Sequence, residues 1–170
     1  MQSSGTLGRG FSGAFQAFPP GDGRMLRGNS PARIDEKGRL KIPTIFRNFI
    51  EQQYGREVFI TSLSGEFVRI YPMPVWLEIE KKIADLPSMN PTIQRFLDTV
   101  NYYGAVATLD AQGRVVIQPL LRRSAEVTGN VSVLGKQRYL DVWNHEKFQS
   151  RIEANPLTEE DQQVLASLKL

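Results

Sequence analysis

Cysteine is absent from the 170 residues, and histidine occurs once, at His145. The first absence excludes a disulfide framework, a thiolate nucleophile and cysteine-ligated zinc or iron–sulfur; the second leaves no imidazole cage for a metal. No cofactor and no metal are expected. Long apolar runs are also missing: no stretch approaches the roughly 18 consecutive apolar residues of a membrane-spanning helix. The N-terminus lacks a basic region followed by an apolar run and a cleavage site, so the expected location is cytoplasmic, with no membrane partner. Net charge is small, 21 Lys+Arg against 18 Asp+Glu. Against these absences stands an ordinary apolar content of 41%, enough for the core of one modest domain or two small ones.

The distribution of charge says more than its sum. From Met25 to Ile50, six cations (Arg27, Arg33, Lys37, Arg39, Lys41, Arg47) face Asp35 and Glu36, a local +4. From His145 to Leu170 the balance reverses to −2. An anionic partner is therefore sought near the first stretch.

Residues 1–24 carry six glycines and Pro19-Pro20 with no periodicity, and read as a disordered extension. Gly8-Arg9-Gly10-Phe11-Ser12-Gly13 matches the dinucleotide-binding pattern GxGxxG, but no strand precedes it and the prolines block a following helix, so a flexible tail is the better reading.

An internal repeat organises the rest. Asp35-Glu36-Lys37-Gly38-Arg39-Leu40-Lys41-Ile42 aligns without gaps on Asp110-Ala111-Gln112-Gly113-Arg114-Val115-Val116-Ile117, and the match runs on to Arg47 and Arg122 at a constant offset of 75 residues. It continues with Tyr54-Gly55 against Thr128-Gly129 and Arg69-Ile70-Tyr71 against Asp141-Val142-Trp143. Each copy reads as strand, tight turn, strand, short helix, strand, turn, strand. Asp supplies a side-chain acceptor for the turn and Gly tolerates its positive φ; Pro43 and Pro119 suit helix starts, and Gly55 and Gly129 helix stops. Between the copies, Val75, Ile79 and Ile83 mark an amphipathic helix, and a second helix is expected over Thr92 to Val100. Glu146 to Ile152 forms a third, and Thr158 with Asp161 caps a last one.

The repeated Asp-x-x-Gly-Arg is the sharpest chemical signal. In a functional reading, the turn sets Arg39 and Arg114 at the head of a strand, where a planar guanidinium reaches phosphate or a guanine edge. In a structural reading, Asp35 and Asp110 pair with these arginines and fix the hairpins. Both roles are met if one arginine is exposed and the other paired. Arg39 has the stronger case, among Arg33, Lys37, Lys41 and Arg47; Arg114 lacks the lysines, having Gln112 and Val116 in their places. Arg122-Arg123 reads as a solvated pair that is also able to touch a phosphate. His145 assembles no nucleophilic triad, the carboxylate pairs Glu78-Glu80 and Glu159-Glu160 lie in solvated helical contexts, and Tyr71, Trp76 and Trp143 read as core anchors. No enzyme is expected.

Met25-Leu26-Arg27-Gly28, the two Asp-x-x-Gly-Arg segments, Tyr71-Pro72-Met73-Pro74-Val75-Trp76, Ser88-Met89-Asn90-Pro91, Val133-Leu134-Gly135 and Val142-Trp143 together resemble the MraZ family of bacterial transcriptional regulators, over about residues 25 to 150. The resemblance implies an α+β, mainly β fold: two tandem swapped-hairpin modules of SpoVT/AbrB type, forming a pseudo-symmetric barrel with flanking helices, and protomers joined in a ring. The organisation then becomes an extension over 1–24, module 1 over 29–74, a helical linker over 75–103, module 2 over 104–148 and a helical tail over 149–170. Family members commonly begin at residues matching Met25, so 1–24 is either a misassigned start or a genuine extension.

The resemblance also implies a nucleoid-associated protein that binds direct repeats in double-stranded DNA upstream of the division and cell-wall gene cluster, its own promoter included. The Asp-x-x-x-Arg contact carries onto Asp35 and Arg39 and onto Asp110 and Arg114, with Gly38 and Gly113 shaping the turns. The expected function is sequence-specific repression through Arg39, Lys37, Lys41, Arg33, Arg114 and Arg47. The rival is a ring-forming protein-interaction scaffold or antitoxin-like module without sequence-specific DNA binding.

Overall fold

The two Asp-x-x-Gly turns set the path of the chain. In the computed structural model, which describes residues 25–170, Asp35 Oδ1 accepts from the N–H groups of Lys37 (3.0 Å) and Arg39 (2.9 Å), while Gly38, at φ +78°, donates to the Asp35 carbonyl at 3.0 Å. The second turn repeats this: Asp110 Oδ1 accepts from Gln112 (2.8 Å) and Arg114 (2.9 Å), and Gly113 has φ +74°. The GxGxxG segment and the expected extension over 1–24 lie outside the described residues.

Each turn joins a first strand to a short second one: β1 (Leu26–Ile34) to β2 (Arg39–Lys41), then β5 (Ala105–Thr108) to β6 (Arg114–Val116). A helix follows in each copy, α1 (Thr44–Tyr54) and α4 (Pro119–Ala125), then the strand pairs β3 (Glu57–Thr61) with β4 (Val68–Pro72) and β7 (Gly129–Gln137) with β8 (Leu140–Asn144). The copies are interleaved. β1 runs along β7 from Leu26 opposite Gln137 to Ile34 opposite Gly129, and β5 runs along β3. The eight antiparallel strands follow the order β5-β3-β4-β8-β7-β1-β2-β6. The end strands β5 and β6 are themselves joined by the second turn, where Asp110 N–H donates to the Arg114 carbonyl at 3.0 Å, so the sheet nearly closes into a barrel. The fold is α+β, mainly β, as expected.

The sequence repeat thereby becomes a pseudo-two-fold axis. β2 meets β6 with Leu40 opposite Val115, and β4 meets β8 with Arg69 opposite Asp141. Each of these two pairs consists of equivalent residues of the repeat, so the axis passes through both. Strand alternation sends Leu40, Ile42, Val58, Ile60, Val68, Ile70, Val115, Ile117, Val131, Val133, Leu140 and Val142 into one core, all at most 2% exposed. Near-closure leaves only the short β5 and β6 as end strands, which limits the sheet edge open to pairing with other chains.

The helices follow their apolar spacing. α2 (Met73–Ala84) buries Val75 and Trp76, whose ring stacks on Phe59 at 4.5 Å. α3 (Pro91–Tyr102) starts at Asn90, whose side chain accepts from Thr92 N–H, and runs slightly beyond the expected Thr92 to Val100. α5 (His145–Ala154) extends the expected third helix at both ends; α6 (Glu159–Ser167) carries the expected Thr158–Asp161 capping box. Trp143 packs between Phe67 and Phe148. Among the described residues no helix is long and apolar enough to cross a membrane.

One expected helix stop is corrected. Gly55 does cap α1, at φ +88°, but Gly129 opens β7. α4 has already ended at Ala125, with Glu126 in the left-handed conformation at φ +54°. The cause is Val127, which is fully buried and whose N–H closes on the Arg122 carbonyl at 3.1 Å, drawing the chain off the helix early.

Candidate nucleic-acid interface

The β2/β6 ladder has an inner and an outer face. Leu40 and Val115 point inward, so Arg39, paired with Val116, and Lys41, paired with Arg114, stand on the outer face. The expected Arg39, Lys41 and Arg114 are thus brought together across the pseudo-two-fold. Lys37 is exposed in the first turn, and Arg33 lies on the exterior of β1, one residue before the buried Ile34.

Both arginines are paired. Arg39 Nε donates to Asp35 Oδ2 at 2.7 Å and Arg114 Nε to Asp110 Oδ2 at 2.8 Å. This is the pairing of the structural reading, present at both turns rather than at one. In each turn, Oδ1 is held by two backbone N–H groups, which turns Oδ2 toward the guanidinium. The side chains remain 32% and 28% exposed, and among the described residues neither guanidinium makes another hydrogen bond. Each is aimed by its carboxylate and presents its outer nitrogens to solvent, the arrangement that suits a bidentate acceptor.

The hydrogen bonds that shape the turns also hold the carboxylates ionised. The Arg39 N–H, ahead of the Arg39 guanidinium and the Lys37 N–H, keeps Asp35 below its ordinary range, and the corresponding Arg114 contacts draw Asp110 down to about 2, with desolvation opposing both. A depressed native pKa stabilises the fold above the ordinary value of 3.8 and loses that contribution as pH falls through about 2. Asp110→Asn is therefore expected to flatten the acid limb of the thermal midpoint over that window and to lower the midpoint near neutrality, where its pH dependence stays as in the wild type.

Arg47 takes a different place from the one expected. Its guanidinium lies over Gly113 of the other module's turn, donating from Nη2 to the Ala111 carbonyl (2.9 Å) and from Nε to Glu51 Oε1 (3.1 Å). Arg122 lies over Gly38 in the same way. This crossed clamp was not read from the sequence, although a signal existed: an arginine stands nine residues after the turn glycine in both copies. A methyl at Gly38 would come within 2.5 Å of Arg122 Cζ and demand a left-handed backbone. The guanidinium can yield, so the backbone sets most of the cost. Gly38→Ala is expected to destabilise by about 1–2 kcal/mol, read as a lower urea midpoint at unchanged slope.

The second dyad pair is an ion pair that the sequence also left unassigned. Arg69 donates from Nε to Asp141 Oδ1 (2.7 Å) and from Nη2 to Asp141 Oδ2 (3.0 Å), with Tyr139 stacked 4.2 Å from the guanidinium carbon. Burial alone would lower the pKa of Arg69, but its hydrogen bonds to Asp141 and Tyr71 outweigh this and raise it. His145 opens α5 with Nδ1 2.8 Å from Ser132 Oγ, and among the described residues no hydrogen bond or ion pair joins its ring to a carboxylate that would complete a triad. Among the described residues no cluster of His, Asp or Glu is arranged to hold a metal ion.

Comparison with known proteins agrees with this architecture. The family model described as "MraZ protein, putative antitoxin-like" matches residues 25–99 and 104–167, one stretch for each module. The chain is 53% identical over 146 residues to a protein of Acidobacterium capsulatum named transcriptional regulator MraZ, covering 86% of this chain and all of that one. It is 48% identical over 145 residues to the protein of the same name from Koribacter versatilis, covering 85% and 99% of the two chains. With that of Escherichia coli O9:H4 it shares 31% over 142 residues, covering 81% and 93%. Two matched stretches, each containing one Asp-x-x-Gly-Arg turn of an interleaved barrel, place this chain in the MraZ family.

Proposed function

We propose that the protein is a non-enzymatic transcriptional regulator that binds double-stranded DNA through the outer face of the β2/β6 ladder. One observation carries the reading: two equivalent turns, related by the pseudo-two-fold, present carboxylate-aimed guanidinium groups side by side on an exposed, cation-rich face. Arg39 and Arg114 contact base edges or phosphate; Lys37, Lys41 and Arg33 supply the surrounding positive field. Asp35, Asp110, Gly38 and Gly113 hold the turns. Arg47, engaged by Glu51 and Ala111, serves by fixing the second turn.

The finer reading follows the family. The protein represses transcription from direct repeats upstream of the division and cell-wall gene cluster, including its own promoter, as a cytoplasmic, nucleoid-associated ring. Large apolar side chains left exposed, among them Ile45 (71%), Leu77 (54%) and Met89 (88%), provide surface for self-association. In a ring, successive turns meet successive repeats at high effective concentration, so weak individual contacts add to a firm one.

Fluorescence anisotropy on a duplex from upstream of the gene, against a scrambled duplex, tests the proposal. The expected result is preference for the upstream duplex with affinity that falls steeply as salt rises. Equal, weak binding to both duplexes would refute it and favour a protein-interaction ring.

A further inference from the structure

The pseudo-two-fold is broken at one point beside the proposed DNA surface. Arg47 and Arg122 are equivalent residues, and each lies over the other module's turn glycine. Arg47 has acceptors for both Nε and Nη2. Arg122 has none: its Nε is buried without a hydrogen-bond partner, and among the described residues no hydrogen bond or ion pair engages its guanidinium.

The asymmetry has a local cause. Glu51 follows Arg47 by four residues within α1, on the same helical face. Glu126 follows Arg122 by the same four residues, but α4 has ended, and the left-handed backbone at Glu126 turns its carboxylate to Lys147 Nζ at 3.1 Å. The Glu126 carbonyl is held there by Asn144 Nδ2 at 2.9 Å. The early end of α4, forced by the burial of Val127, thus deprives Arg122 of the partner that its counterpart keeps.

The two turns consequently differ in charge by more than their own sequences. The first has Lys37 in the turn, Lys41 in the following strand and the unneutralised Arg122 above Gly38. The second has Gln112, Val116 and an Arg47 already satisfied by Glu51. Nε stays enclosed, but the residue as a whole is only half-buried, so an anion that reaches the outer guanidinium nitrogens offsets a charge that no carboxylate among the described residues balances.

We infer that Arg122, carried by the second module, completes a phosphate-binding site at the first turn, together with Lys37 and Arg39, and that it takes one phosphodiester group of duplex DNA. The inference rests on the DNA-binding reading above and adds a polarity to it. Two equal turns on a two-fold axis would dock equally well in either direction along a groove. A phosphate anchor at one turn alone makes the two directions unequal, which suits repeats that all run the same way.

The test measures binding of the full chain to the upstream and scrambled duplexes by anisotropy at salt concentrations between 50 and 200 mM. Arg122→Gln is expected to reduce the slope of log affinity against log salt by about 1 on both duplexes, since one phosphate contact is lost. The gap between wild type and variant then narrows by about 3.5-fold across that salt range. Arg122→Lys should retain most of the slope. Arg122→Met, which keeps an apolar stem packed on the turn, replaces Arg122→Gln if thermal unfolding shows the latter to be misfolded. An unchanged slope in a folded Arg122 variant, on a duplex that wild type prefers, would overturn the phosphate site and leave the DNA reading standing. Wild-type protein that binds neither duplex in a salt-dependent way would overturn both.

Discussion

Arg39→Ala protein is expected to bind the upstream duplex no better than a scrambled one, while folding and assembling as the wild type does. The guanidinium is already aimed by Asp35 at 2.7 Å, so little rotational freedom remains to be lost when it engages a base edge or phosphate. One bidentate base contact discriminates by roughly 1–3 kcal/mol, or about 5- to 150-fold, and in a ring the loss recurs at every engaged turn. Stability should change little, because ion pairs this exposed contribute little. Anisotropy against both duplexes, with thermal unfolding as the control, reads both halves of the prediction. Retention of the preference for upstream DNA would remove Arg39 from the interface. Arg114→Ala should weaken binding less, because Gln112 and Val116 stand where the first module has Lys37 and Lys41.

The largest effect on stability is expected at the opposite end of the pseudo-two-fold. Asp141→Ala leaves Arg69, whose side chain is only 13% exposed, without its carboxylate. Removing one partner of a buried pair costs about 3–5 kcal/mol, a large fraction of the roughly 5–15 kcal/mol that holds a domain folded. Replacing both partners, Arg69→Met with Asp141→Leu, should recover most of the loss, since burial of apolar groups then takes over from a desolvated pair. Urea unfolding of the single and double variants measures this. A single-variant loss below about 1 kcal/mol would show that solvent reaches Arg69 and that the pair behaves as a surface one.

The pairing of Arg69 with Asp141 shows where sequence reading stops. The alignment of the two copies had already set Arg69 against Asp141, an exchange of charge at an equivalent position. That exchange is a contact only if the equivalent strands meet across an axis, and periodicity within either strand carries no information about that meeting. The clamp of Arg47 on Gly113 and Arg122 on Gly38 was hidden in the same way: the repeated arginine was visible, but its target lies in the other copy. The expected helix stop at Gly129 failed for a related reason. Glycine at a plausible distance signals a cap only when the helix lasts that long, and the burial of Val127 ended α4 before it.

By itself, the sequence determined the features whose causes are local. The Asp-x-x-Gly turns follow from a side-chain acceptor two and four residues from its donors and a glycine at positive φ. The start of α6 follows from Thr158 and Asp161, and the inward face of each strand from alternation. The repeat determined that there would be two such modules. Only the tertiary structure decided that they interleave and that Arg39, Lys41 and Arg114 share one face. Among the described residues, it alone left Arg122 without a hydrogen-bond partner while Arg47 has two. These features depend on burying both modules' apolar faces in one core, and that requirement acts between residues some 70 positions apart in the chain, as Arg69 and Asp141 are.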